Sequence, residues 1–199
     1  MYNSTSKYNP AIHHRKSIRL KGYDYAQEGL YFITICCQDR ACIFGEVIDG
    51  KMTLNDYGEI VHQEWLATEK IRLNTVIHEF IIMPNHIHGI IEITFKNKIT
   101  ESEIGKFQSP SQTIGSIIRG FKIAAIKKIK ERILNSEFIS SRGELQFAPT
   151  TEKIINLNFK IWQRNYYEII IRNKKSYINI SNYIINNPSK WKEDKFNDK

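Results

Sequence analysis

The chain has 199 residues, 41% of them hydrophobic and 25% charged, which fits one globular domain that can bury a core. Its apolar runs are a few residues long, too short to cross a bilayer, and MYNSTSKYNPAIHHRK at the start holds no apolar leader segment. The excess of 29 Lys+Arg over 21 Asp+Glu leaves a net charge of +8, which attracts polyanions, nucleic acid first.

Cationic residues open the chain. HHRKSIRLKGYDY carries Arg15, Lys16, Arg19 and Lys21 before any acid appears, a basic N-terminal arm over 1–22. Tyr31 to Gln38 (YFITICCQ) is rich in aromatic and β-branched residues and reads as a strand. Cys36, Cys37 and Cys42 crowd together without the paired spacing of a zinc site, so a reducing cytoplasm is the expected setting. IFGEVIDGKMTL then holds Asp49-Gly50, a two-residue hairpin turn between short strands. A helix is expected to open near Asn55, with Ile60, Val61 and Trp65 on its buried side. TVIHEFIIM and HIHGIIEI follow as two strands joined across Pro84-Asn85.

Residues 96–112 are polar and read as a loop. In TIGSIIRGFKIAAIKKIKERI, residues Ile114, Ile118, Phe121, Ala125, Ile129 and Ile133 recur at spacings of three and four, the stripe of an amphipathic helix. Arg119, Lys122, Lys127, Lys128, Lys130 and Arg132 lie off that stripe, either as a solvated face or facing a phosphate backbone. Residues 135–153 have no sustained period and read as a second loop. WQRNYYEIIIRNKK is a third basic cluster, compatible with an amphipathic helix packed on the sheet. The tail, 174–199, suggests a short helix carrying Tyr177, Ile180 and Ile184, stopped by Pro188, with Trp191 folding back. Strands first and helices mostly later give an α+β layout with an antiparallel sheet, in one domain over 1–199.

Two features carry chemistry. On a strand, residues two apart share a face, so His86 and His88 in MPNHIHGIIEI project side by side, with Ile87, Gly89 and Ile91 turned away. Neutral imidazoles so placed bind a divalent cation if the fold adds a further ligand, and otherwise pack as core. His78 on the preceding strand, or Glu92 farther along the same face, is a candidate for that ligand. The second feature is Tyr166-Tyr167. A tyrosine is a covalent nucleophile when a base, a cation or a metal-polarised phosphate compensates its ordinary pKa near 10. Arg164 and Arg172 supply positive charge beside the pair, and two tyrosines near three isoleucines are equally compatible with plain packing.

These blocks resemble a known family. PNHIHGI resembles the His-hydrophobe-His (HUH) signature of single-tyrosine transposases, and WQRNYYE…IRN resembles the tyrosine motif of the REP-associated, IS200-like branch. HHRKSIRLKGYDY, YFITIC, FGEV, VIHEFIIMPNHIHGI, GFK and NNPSKW follow in the family's order, so the resemblance runs from about His13 to Trp191. It implies a ferredoxin-like antiparallel sheet with the HUH motif on a central strand. It also implies binding of single-stranded DNA with a hairpin, Mg²⁺ or Mn²⁺ at His86 and His88, and cleavage and rejoining through a 5′-phosphotyrosine. By position Tyr166 becomes the nucleophile with Tyr167 as fallback, and the basic clusters make Arg15, Lys16, Arg19, Arg119, Lys122, Arg164 and Arg172, with Gln163 beside them, the expected DNA contacts. Such a protein is cytoplasmic, nucleoid-associated, and monomeric or homodimeric. The family places a polar ligand three or four residues after its tyrosine, whereas Ile169 and Ile170 stand there after Tyr166 and cannot bind a metal. Two alternatives follow: a DNA-binding protein of the same fold with weakened cleavage, and a nuclease in which water attacks.

Overall fold

The structure is a computed structural model that describes residues 22–95, 112–139 and 148–197. Arg15, Lys16 and Arg19 of the basic arm lie outside the described residues, as do 96–111 and 140–147.

The main sheet is antiparallel, four-stranded and ordered β4-β5-β1-β6. It is built from β1 (Gly29–Cys36), β4 (Thr75–Met83), β5 (His86–Ile93) and β6 (Tyr167–Ile171). A separate hairpin pairs β2 (Gly45–Ile48) with β3 (Lys51–Leu54). Its turn sits on Asp49 and Gly50, both at positive φ (49° and 73°), as a two-residue turn matched to strand twist requires. Helix α1 (Asp56–Ile71) crosses from the hairpin to β4, and α2 (Ile114–Ile139) crosses from β5 toward β6. The main-sheet strands and these two helices thus form the expected ferredoxin-like βαββαβ arrangement.

Local chemistry explains the boundaries. Asn55 caps α1, its side-chain oxygen accepting from the backbone N–H of Tyr57 and Gly58, so orphan donors of the first turn are satisfied. α3 (Pro149–Asn156) starts on a proline, which needs no hydrogen bond at that position, and so the expected loop over 135–153 is interrupted by a helix. It docks on α1 through Tyr57 Oη and Thr151 Oγ1, 2.6 Å apart. α4 (Lys174–Asn186) is capped by Asn173, whose side chain accepts from Ser176 N, and a 3₁₀ turn over Pro188–Glu193 follows it.

Strand alternation divides the side chains into two cores. Tyr31, Ile33, Ile35, Ile87 and Ile91 face α1 and α2 and join Val61, Trp65 and the α2 stripe, from Ile114 to Ile133, in the main cluster. The other face carries Ile90 and Ile171 with Leu30, Phe32 and Ile81, covered by Tyr177, Ile180 and Ile184 of α4. A register shift between Ile77 and Phe80 sets two β4 residues against one on β5, a β-bulge. The bulge brings both His78 and Glu79 to α4, where Tyr177 Oη donates to Glu79 Oε2 at 2.8 Å and Ser181 Oγ to the same oxygen at 3.2 Å.

The helix expected over WQRNYYEIII is instead strand β6, paired with β1 from Leu30↔Ile171 to Thr34↔Tyr167. Three consecutive isoleucines suit a pleated, half-buried surface, and the open edge of β1 supplies the hydrogen bonds.

Gly89 lies between the sheet and the indole of α1. A Cβ there would meet Trp65 Cζ2 at 2.7 Å and Phe80 Cβ at 3.1 Å. Gly89→Ala is expected to destabilise the fold by about 1–3 kcal/mol, read as a lowered urea midpoint at unchanged m-value.

Candidate active site

His86 and His88 leave β5 on the face turned toward α4, with ring centroids 4.5 Å apart. Both are fully buried (0% and 1% exposed), and one donor nitrogen of each lies within 4.8 Å of the other. Hydrogen bonds fix the tautomer of His86. Asn85 Nδ2 donates to the carbonyls of Arg40 (3.0 Å) and Phe196 (2.7 Å), so its Oδ1 is the acceptor facing His86 Nδ1 at 2.8 Å. The proton of His86 is thereby held on Nδ1, and Nε2 has no partner among the described residues. His88 has Nδ1 2.8 Å from Thr34 Oγ1 and Nε2 3.1 Å from Tyr183 Oη, two hydroxyls that each donate or accept.

Burial pulls the pKa of His86 down to about 4 and that of His88 well below its ordinary value, so both rings are neutral near pH 7. Neutral rings with Nδ1 anchored and Nε2 converging are the state in which imidazole binds metal. Among the described residues Asp194, beyond the 3₁₀ turn that follows α4, brings a carboxylate to the pair. One donor atom each from His86, His88 and Asp194 lie within 4.8 Å of one another. An orphaned buried nitrogen beside that carboxylate fits a divalent cation better than it fits packing.

Tyr183 is the tyrosine that meets the histidines. It projects from α4 and is 41% exposed. Its ring lies 5.1 Å from that of His88, and Tyr183 lines a groove of about 650 Å³ with Asn179, Asn182, Asn186, Lys190 and Lys195. Burial and the charge of Asp194 raise its pKa, so at rest it is a phenol, and a nearby cation opposes both effects. One helical turn on, Asn187 is 2% exposed and its Oδ1 has no partner among the described residues. Tyr183 and Asn187 therefore stand in the relation that the family resemblance led us to look for after Tyr166: a tyrosine with a polar group four residues on.

Tyr166 takes a different place. It immediately precedes β6 and packs against the α1/α2 core, with Lys122 Nζ 5.9 Å from its ring centroid. Parity is the reason: Tyr167, Ile169 and Ile171 share the face of His86 and His88, and Tyr166, Glu168 and Ile170 take the opposite one. The fallback Tyr167 lies in the cross-strand row His88–Thr34–Tyr167, with the whole of β1 between it and His88.

The expected DNA contacts divide. Lys122 is a tether: its Nζ donates to the carbonyls of Gln163 (2.8 Å) and Asn165 (3.2 Å), and burial lowers its pKa to about 8. Arg119 is exposed but belongs to α2, on the far side of the sheet from the histidines. Arg164 and Arg172 are exposed at either end of β6, and Gln163 is half-buried where its backbone N–H bonds to Cys36. His78 and Glu92 pair with each other at 2.7 Å. Glu92 sits four residues along β5 from His88, roughly 13 Å at strand rise, so neither completes the histidine pair.

With this geometry in view, relatives become informative. No family model matches the chain. An uncharacterized protein of Haemophilus influenzae is 45% identical over 197 residues, covering 96% of this chain and 97% of that one. A REP-associated tyrosine transposase, solved bound to a REP hairpin, superimposes with a TM-score of 0.52 at 16% identity, covering 87% of this chain and 74% of that one. The chain belongs to the family of the Haemophilus protein and has the fold of a REP-associated tyrosine transposase. In this chain the histidine strand β5 is interior to the sheet and α4 lies across its face. Among the described residues no helix is long and apolar enough to cross a membrane.

The buried neutral histidines have a measurable cost in acid. The unfolded chain takes up protons near pH 6.5, whereas folded His86 does so only near 4. Stability is therefore complete above about pH 6.5 and is lost as pH falls toward about 4. Urea midpoints taken in EDTA across that window should fall, and His86→Asn should flatten the dependence.

Proposed function

We propose that this protein binds single-stranded DNA carrying a hairpin and cuts and rejoins it through Tyr183, with Mg²⁺ or Mn²⁺ at His86 and His88. The observation that carries the reading is the 3.1 Å approach of Tyr183 Oη to His88 Nε2, beside the unpartnered Nε2 of His86. The hairpin partner is carried over from the similar transposase, which is bound to a REP hairpin.

His86 and His88 would hold a divalent ion, which would supply positive charge to polarise the scissile phosphate. Tyr183 Oη attacks phosphorus and loses its proton to solvent in the open groove. The bond to the 3′ oxygen breaks as the tyrosyl–phosphorus bond forms, and that oxygen takes up a proton to leave as a free 3′-OH. Attack by a 3′-OH on the 5′-phosphotyrosine reverses the step, so the energy of the broken ester is kept in the protein-linked one. Asn187 Oδ1, one turn from Tyr183, is available to orient the ion or the phosphate. Lys190 and Lys195 line the groove and hold phosphate oxygens. The weakened-cleavage alternative rested on Ile169 lying a helical turn after the tyrosine, and on strand β6 that relation does not exist.

Incubation with labelled hairpin DNA and Mn²⁺, followed by a denaturing gel, tests the reading. A covalent adduct lost in Tyr183→Phe and kept in Tyr166→Phe and Tyr167→Phe is expected. An adduct that survives Tyr183→Phe overturns the assignment, and cleavage without any adduct points to attack by water. For binding, Lys190→Ala should weaken DNA affinity and reduce the salt slope by about one phosphate contact, while Lys122→Met should leave that slope unchanged.

A further inference from the structure

The histidine pair is closed on one side by the end of the chain. After the 3₁₀ turn, residues 194–197 run as a strap across His86. The ring of Phe196 lies 4.6 Å from that of His86 and 6.0 Å from that of His88, and Phe196 is 7% exposed. Two side chains from elsewhere in the fold hold the strap by its carbonyls. Arg40 Nη1 donates to Lys195 O at 3.0 Å, and Asn85 Nδ2 donates to Phe196 O at 2.7 Å. Asn85 is also the residue whose Oδ1 fixes the His86 tautomer. One amide thus sets both a metal-ready imidazole and the strap above it.

The strap carries Asp194. Its carboxylate is itself aimed: Phe196 N donates to Oδ1 at 2.8 Å and Asn187 Nδ2 donates to Oδ2 at 3.1 Å. A carboxylate accepts about four hydrogen bonds, so lone pairs remain for a cation held between it and the unprotonated imidazole nitrogen. The wholly buried Nε2 of His86 is the independent sign that a ligand belongs at this point.

We infer that Asp194 is a protein ligand of the divalent ion, supplied by the strap that lies across the site and that the bound ion tightens. This inference rests on reading His86 and His88 as ion ligands. Two nitrogens and one carboxylate oxygen form a set that suits Mn²⁺ better than Mg²⁺, because imidazole favours first-row transition ions and Mg²⁺ prefers oxygen. Asn187, bonded to the carboxylate, positions Asp194. The ion and the strap then stabilise each other: the ion neutralises a carboxylate held against buried rings, and the ordered strap shields the ion from bulk water.

Mn²⁺ binding to the full chain without DNA, followed by the loss of the free-ion electron paramagnetic resonance signal, provides the test. Asp194→Asn preserves shape and should weaken Mn²⁺ at least about tenfold, with exposed Glu193→Gln as an unaffected control. Hydrogen exchange of the peptide spanning 194–197 should slow on adding Mn²⁺ in the wild type and not in Asp194→Asn. If His86→Ala binds Mn²⁺ as the wild type does, the ion site itself is refuted. If His86→Ala loses the ion while Asp194→Asn retains wild-type affinity, or the strap's exchange ignores Mn²⁺, the ion site stands and the strap inference falls.

Discussion

The amide of Asn85 connects parts of the chain that are far apart in sequence. It sits in the turn between β4 and β5, is 1% exposed, and uses both donors and its acceptor within the protein. A buried amide with every bond made cannot rotate cheaply, since any other orientation leaves polar atoms unsatisfied. The orientation of His86, the course of the segment around Arg40 and the position of Phe196 are therefore set together. Thr34 Oγ1 holds the ring of His88 by its Nδ1 from the neighbouring strand. What results is a pair of neutral rings presenting Nε2 in a site that otherwise has the burial of a core.

The site has a floor and a wall. The floor is β5, flanked by β4 and β1 and packed beneath by Trp65 and the α2 stripe. The wall is α4, which meets the sheet through Ile184, Ile180 and Tyr177 rather than through a deep core. The bulge in β4 reinforces that contact at the far end, because it turns both His78 and Glu79 toward Tyr177 and Ser181. The hydrogen bonds to Glu79 anchor the helix through Tyr177 and Ser181, within about two turns before Tyr183. Tyr183 itself stays half in solvent, which a residue that must meet an incoming DNA strand requires.

The choice between tyrosines shows how much a single structural assignment decides. On a helix, Tyr166 would be accompanied by residues three and four positions on. On a strand the period is two, and Tyr166 falls on the face away from the histidines. The sequence around it contains no decisive signal, because isoleucine runs suit either element and the outcome depends on whether an edge of β1 is free. The spacing of Tyr183 and Asn187 was visible in NYIINNPSKW, but nothing local marked that turn as lying over the His pair.

Much of the scaffold was legible because its causes are local. Asn55 as a cap, Asp49-Gly50 as a turn, the α2 stripe and the alternation that sets His86 and His88 on one face all follow from neighbouring residues. The tail helix with Ile184 on its buried side and the stop at Pro188 also follow from local pattern. Long-range pairing decided the rest: β6 joining β1, Lys122 turned to carbonyls, Tyr183 approaching His88, and Asp194 arriving with the strap. By itself the sequence determined which residues can bind a metal and which faces are apolar, since periodicity and side-chain chemistry are properties of a few adjacent residues. Only the tertiary structure decided which tyrosine and which carboxylate meet that pair, because strand register and helix docking are set by packing between distant segments.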